Sequence, residues 1–278
     1  MALGNRQSAM QITSRDNSLL RHAREVRDGK ARESIFVEGL RLCEEALRSH
    51  LKIEAVIYSE HIARKDRAAS LIHELESSAS KSASVSEKLL ESNSYTKTPQ
   101  GIVVLAARPQ LTETQFKATQ PKNPLLVILH GINNPVNAGA ILRTGEAAGA
   151  TGVIATKGTS DPFSPKSLRG AMGATFRLPI WTDAEFQEVI DWCRTHKIQT
   201  ASASANATGS YVDFDWRIPT ALVMGPESAG LSEKEVAATD ESVAIPMQGS
   251  TESLNVAVAA GILLYEAHRQ RSASAIES

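Results

Sequence analysis

The residues best suited to chemistry in this 278-residue chain fall in three short stretches of its second half. The first runs Gly131-Ile132-Asn133-Asn134-Pro135-Val136-Asn137, with Arg143 six residues further on. Asn137 is placed to cap a following helix, and a guanidinium fixed near a helix N-terminus suits a phosphate or carboxylate. The second, Gly225-Pro226-Glu227-Ser228-Ala229-Gly230-Leu231, sets a lone carboxylate between two glycines that tolerate close backbone approach. The third runs from Ile245 through Pro246 and Met247 to Ser253, Leu254 and Asn255. It is a polar loop between a short apolar strand end and a long apolar helix, and Ser253 reads as that helix's cap. Each stretch alone reads as a structural turn. Three in order, each at a strand end where free backbone N–H groups converge, point to one ligand site.

Other chemistries lack their residues. Cys43 and Cys193 are far apart with no ligand partners at useful spacing, which argues against a zinc site or a disulfide framework. Neither the phosphate-loop spacing nor the dinucleotide glycine fingerprint is present, which counts against ATPases and Rossmann enzymes.

The loops need strands and helices to hold them, and the surrounding pattern supplies both. Residues 125–129 read as a fully apolar strand, 137–148 as a helix and 152–155 as the next strand. Ser164-Pro165 opens a short helix, with proline where no N–H is needed. Residues 177–181 read as a strand, 185–196 as a helix, 198–201 and 221–224 as strands, and 233–238 as a helix. A last helix starts near Ser253. Alternating strands and helices imply a mainly parallel sheet covered on both faces. Upstream lies a separate α/β unit: helices at 17–28, 38–48 and 64–76, strands at 34–37, 53–58 and 101–107, and a Ser-rich loop or weak strand at 77–86. Residues between the units, with Pro109, Pro121 and Pro124, have no sustained apolar period and read as a linker.

Net charge is −1, but residues 1–108 hold 17 Lys and Arg against 14 Asp and Glu. The basic excess is densest at Arg15, Arg21, Arg24, Arg27, Lys30 and Arg32, either a phosphate-contacting surface or a solvated helix face. The longest strongly apolar run, residues 254–265, is too short to span a bilayer. The first ten residues show no export signal, and the cysteine usage fits a reducing compartment; the expected location is cytoplasmic.

Together the three loops resemble the motifs of the SpoU (TrmH-like) branch of the SPOUT RNA methyltransferases. Asn134-Pro135-x-Asn137-x-Gly139-x-x-x-Arg143-Thr144 is similar to the first motif, and Gly225-x-Glu227-x-x-Gly230-Leu231 to the second. Ile245-Pro246-Met247 through Ser253-Leu254-Asn255-Val256 is similar to the third. Between them, Ser164-Pro165-Lys166 to Arg169 and Gly173-Ala174 resemble the connecting segment. Asn134, where an acidic residue is common, and Pro226 depart from the pattern. Residues 12–108 look, more loosely, like the RNA substrate-binding domain of many members, similar to an RNA-binding ribosomal-protein fold.

The resemblance implies a small α/β substrate-binding domain at 12–108, a linker at 109–123 and a methyltransferase domain at 124–270. The latter would be a mainly parallel α/β sheet with a C-terminal trefoil knot. It further implies a homodimer without metal or membrane, using S-adenosylmethionine to methylate a ribose 2′-hydroxyl. Ribosomal RNA is preferred over transfer RNA because of the added first domain. By position, Gly225, Ile245, Met247 and Leu254 would contact the cofactor. Asn137, Arg143, Glu227, Ser253 and Asn255 would form the reaction site, with Arg143 holding a phosphate or the developing alkoxide. The small residues Ala257, Ala259, Ala260 and Gly261 would let a second helix approach. A non-catalytic RNA-binding protein with the same fold and methylation of a base remain as alternatives.

Overall fold

The structure is a computed structural model that describes residues 9–276; the first eight residues, part of the stretch that shows no export signal, lie outside them. Two units are formed, one by the chain up to Arg108 with Phe163–Leu168, the other by Pro109–Pro162 with Arg169 onward.

The first unit contains β1 (Met10–Ile12), α1 (Ser18–Arg27), β2 (Ser34–Glu38), α2 (Leu40–Arg48), β3 (Ile53–Ser59), α3 (Asp66–Ser78), β4 (Lys81–Val85), α4 (Glu87–Asn93) and β5 (Ile102–Ala107). Its sheet has the order β1-β4-β3-β5-β2, with β5 antiparallel to β2 and β3. Asn17 starts α1 by accepting from the Leu19 N–H at 2.8 Å. Leu19, Leu20, Ala23 and Val26 then repeat at helical spacing and are buried with Phe36, Ile57 and Leu105.

The basic stretch is partly committed to this unit. Arg24 donates to Asn93 Oδ1 and the Arg15 carbonyl, Arg27 to the Ser92 and Ser94 carbonyls and to Asp28, and Arg21 to the Asp16 carbonyl. Arg24 and Arg27 thus satisfy groups at the end of α4, a helix that the sequence pattern did not disclose. The helix expected from residue 38 begins at Leu40 instead, because Gly39 takes φ +101° and keeps Glu38 in the strand. Glu38 is buried, and its carboxylate accepts from Tyr95 N–H (2.9 Å), Thr96 N–H (3.2 Å), Thr96 Oγ1 (2.7 Å) and Ser94 Oγ. The Ser-rich stretch forms β4, held by pairing on both sides with Ala83 and Val85 buried, so tertiary pairing overrides serine's weak propensity.

The second unit contains α5 (Glu113–Thr119), β6 (Leu125–Leu129), α6 (Pro135–Ala147), β7 (Gly152–Thr156), the short helices α7 (Pro165–Ala171) and α8 (Ala174–Arg177), β8 (Ile180–Ala184) and α9 (Phe186–Thr195). It continues through β9 (Gln199–Ala203), β10 (Gly209–Ser210), β11 (Thr220–Met224), α10 (Glu233–Ala238), β12 (Glu241–Ala244) and α11 (Val256–Ile276). The sheet order is β10-β12-β9-β11-β6-β7-β8, and every pairing is parallel. The adjacent strands β6 and β11 are buried at every position, as strands covered on both faces must be.

Two local details go beyond the sequence pattern. The stretch read as a linker, for its lack of a sustained apolar period, holds α5, started by a reciprocal Thr112–Gln115 capping box and anchored by buried Phe116 against Trp181 and Trp192. One apolar anchor in a helix this short leaves no period to detect. The strand expected at 177–181 begins only at Ile180: Gly173, at φ +93°, opens α8 through Arg177, and Pro179 follows. Among the described residues no helix is long and apolar enough to cross a membrane, and no cluster of His, Cys, Asp and Glu could hold a metal ion.

Candidate active site

Because β6, β11 and β12 run parallel, their carboxyl ends open on one edge of the sheet. β6 and β11 are neighbours, and β12 is separated from β11 by β9. The three polar stretches leave from these ends, the usual place for a ligand in a parallel sheet.

The first two loops touch. Gly131 takes φ +63°, and a side chain there would collide with Pro226 Cγ at 2.9 Å. Asn134 accepts from the Val136 N–H at 2.9 Å, and Pro135 occupies the first helical position, so Asn134 rather than Asn137 caps α6. An asparagine caps as well as an aspartate, so this departure from the motif costs the helix nothing.

Asn137 is thereby free to reach the other two loops. Its Nδ2 donates to Glu227 Oε1 at 3.0 Å, and its Oδ1 accepts from Asn255 Nδ2 at 3.3 Å. Glu227 also accepts from the N–H groups of Asn133 (3.2 Å) and Asn134 (3.3 Å). Asn255 Oδ1 accepts from the N–H groups of Ala257 (2.9 Å) and Val258 (3.3 Å), so Asn255, not Ser253, caps α11, which starts at Val256. Partial burial pushes the Glu227 carboxyl up, but hydrogen bonds from Asn137, its own N–H, Asn133 and Asn134 outweigh it and hold the group below its ordinary value of 4.5. A single carboxylate–amide chain therefore links all three loops.

Gly225 is buried, and a side chain on it would meet Leu231 Cγ at 2.7 Å and Leu231 N at 2.9 Å. The loop folds back through a Gly230 N–H to Pro226 carbonyl bond of 2.9 Å. Ile245, Met247 and Leu254 are half-buried on the third loop. Among the described residues, no backbone hydrogen bond engages residues 246–254. Half-buried apolar side chains beside unengaged backbone donors and acceptors suit a small organic ligand with polar groups.

Arg143 and Ser253 stand outside the chain of contacts. Both are exposed, and neither side chain forms a hydrogen bond or ion pair among the described residues. Arg143 lies about 9 Å along α6 from Asn137 and about 120° around it, by helix geometry.

Sequence reasoning missed His130. Its ring packs 4.4 Å from Phe186, with Nδ1 2.8 Å from Thr156 Oγ1 and Nε2 2.9 Å from Glu235 Oε1. A lone histidine whose partners lie in other elements leaves no local signal.

Two family models match the chain. The SpoU rRNA Methylase family matches residues 124–265, and the MRM3-like substrate binding domain matches residues 17–104. An uncharacterized tRNA/rRNA methyltransferase of Synechocystis is 32% identical, covering 95% of this chain and 95% of its own length. A 23S rRNA (guanosine-2′-O-)-methyltransferase of Haemophilus influenzae is 33% identical, covering 68% of this chain and 79% of its own. Among solved structures, an AdoMet-bound rRNA methyltransferase of Sinorhizobium meliloti superposes with a TM-score of 0.82 at 29% identity, covering 94% of this chain and 98% of the other.

Proposed function

Since this chain belongs to the SpoU rRNA methylase family, we propose that it transfers a methyl group from S-adenosylmethionine to a ribose 2′-hydroxyl of ribosomal RNA. The observation that carries this reading is the Asn137–Glu227–Asn255 chain, which gathers the three motif loops at one sheet edge. The cofactor would lie on Gly225, Ile245, Met247 and Leu254, against the unengaged backbone of residues 246–254. When bound, it supplies an electrophilic methyl group on a sulfonium.

The chain's own residues must then place a weakly acidic hydroxyl in line and stabilise charge on its oxygen. Asn137, Glu227 and Asn255 are committed to one another, so their task is to hold the loops in register. Arg143 and Ser253 keep their hydrogen-bonding capacity for the RNA. Arg143 holds a phosphate or the developing alkoxide, acting as a cation and not as a base, because a guanidinium keeps its proton.

The committed Asn and Glu set gives no support to the non-catalytic alternative, and the relatives' names favour ribose over base and ribosomal over transfer RNA. Residues 12–108 serve as the substrate-binding domain, 109–123 as the connection and 124–270 as the catalytic domain. The trefoil knot belongs to the C-terminal segment that brings β12 into the sheet between β10 and β9. We further assign a homodimer through α6 and α11, where Val136, Val258 and Tyr265 lie exposed. The two buried free cysteines suit the reducing cytoplasm.

A ribose-methylation map of total RNA, with and without the protein, tests the activity: one 2′-O-methyl site in ribosomal RNA disappears on deletion. Loss of a base methyl, or of no methyl, would sink the reading.

A further inference from the structure

We propose that His130 and Glu235 are positioning residues that clamp both ends of the Gly225–Leu231 loop and thereby set its affinity for S-adenosylmethionine. This rests on the reading that the loop contacts that cofactor. His130 follows β6, and its backbone N–H bonds the Met224 carbonyl at 2.9 Å, immediately before the loop begins. Its ring reaches the residue immediately after the loop by way of one carboxylate. Glu235 Oε1 lies 2.9 Å from His130 Nε2, while Glu235 Oε2 accepts from Ser232 N–H at 2.7 Å and Ser232 Oγ at 2.8 Å.

A capping box by itself is an ordinary helix start, and needs nothing beyond the Ser and the Glu. Here the second carboxylate oxygen is taken by a side chain 105 residues away in sequence. A carboxylate only accepts, so Nε2 carries the proton of this bond. The ring itself is fixed from two further sides, by Thr156 Oγ1 on Nδ1 and by the Phe186 ring. One residue thus holds Met224 through its backbone and Ser232 through its side chain, with the glycine-bounded loop strung between them.

The test is S-adenosylmethionine titration by calorimetry, with amide hydrogen exchange, on the full chain. It compares wild type, His130→Ala, Glu235→Ala, the double variant and His130→Gln. Each alanine variant is expected to bind about tenfold more weakly, the scale of a lost hydrogen bond to a charged group. Because the two residues act as one unit, the double variant loses no more than either single one. His130→Gln, which keeps a donor toward Glu235, restores most of the affinity. Faster exchange is confined to residues 225–232. Unchanged affinity in both single variants, or losses that multiply in the double, overturns the clamp. Should His130→Ala fail to fold, Glu235→Gln on the partly exposed face of α10 decides: one acceptor oxygen then faces two sets of donors, and wild-type affinity overturns the clamp. A wild-type protein that binds no S-adenosylmethionine overturns the reading of the loop itself, which separates the two failures.

Discussion

Glu227 concentrates the electrostatics of the site at the scale of single residues. It is an acceptor for three backbone N–H groups, its own among them, and one amide, and among the described residues no cation pairs with it. Glu227→Gln turns one acceptor oxygen into a donor that faces other donors. We expect about tenfold weaker S-adenosylmethionine binding with melting temperature nearly unchanged, because the group is exposed and the penalty is local. The pH dependence has a definite sign. The folded-state value lies below the ordinary 4.5, so the unfolded or opened state binds the proton more readily. The stabilisation from Glu227 is therefore complete above about pH 5 and is lost as pH falls below 4.5 through the lowered value. Cofactor affinity measured from pH 7 down to pH 4 should decline at the acid end, and Glu227→Gln should flatten that decline. Types and spacing already singled out Asn137, Glu227 and Asn255. That they bond one another did not follow, since the contacts span 90 and 118 residues. The caps shifted for a related reason. Asn134 and Asn137, or Ser253 and Asn255, are both able to cap, and only the backbone path decides which one reaches the free N–H groups.

Among the elements, α5 and α11 depend on contacts that a periodic pattern does not report. Phe116 is fully buried between Trp181 and Trp192, and a Cβ on Gly152 would come within 2.8 Å of its ring. Phe116→Ala should cost about 3–5 kcal/mol of unfolding free energy, the usual range for deleting a buried aromatic ring, read by denaturant titration. A stretch acting as an unstructured tether would show no such loss. At the far end of the chain, Arg271 of α11 donates to four carbonyls: Trp216 (2.7 Å), Asn123 (3.1 Å), Pro124 (3.0 Å) and Ile218 (2.6 Å). Burial lowers its pKa, only partly offset by Asp215. It ties the last helix to the segment entering β6 and to the one entering β11. Arg271→Ala should destabilise the fold by about 2 kcal/mol, because four carbonyls, those of the buried residues Trp216 and Pro124 among them, lose a charged donor together. Arg271→Lys should recover only part of this, since an ammonium cannot reproduce the planar fork.

At the scale of the whole molecule, the prediction concerns assembly. Ala260 is fully buried, and Gly261 faces Thr144 of α6 with room for only ordinary contact, so part of the small-residue stripe serves packing within the chain. Val258 and Tyr265, seven residues apart on one face of α11, are each 52% exposed. Replacing both with Lys should convert a dimer to a monomer in sedimentation velocity while leaving the melting temperature of the chain nearly unchanged. A wild-type monomer, or a variant that still dimerises, would remove the α6–α11 interface. Much of the architecture was open to reading from the amino-acid order alone. The fully apolar run at Leu125–Leu129, the alternation of strands with amphipathic helices and the glycine-bounded polar loops are local patterns, and local burial is what periodicity reports. Only the tertiary structure decided that β12 enters the sheet between β10 and β9, that the three loop-bearing strands open on one edge, and that one histidine meets Met224 through its backbone and Glu235 through its ring. Those features join residues tens to more than a hundred positions apart. They exist because packing closes long stretches of chain, and no window of neighbouring residues carries them.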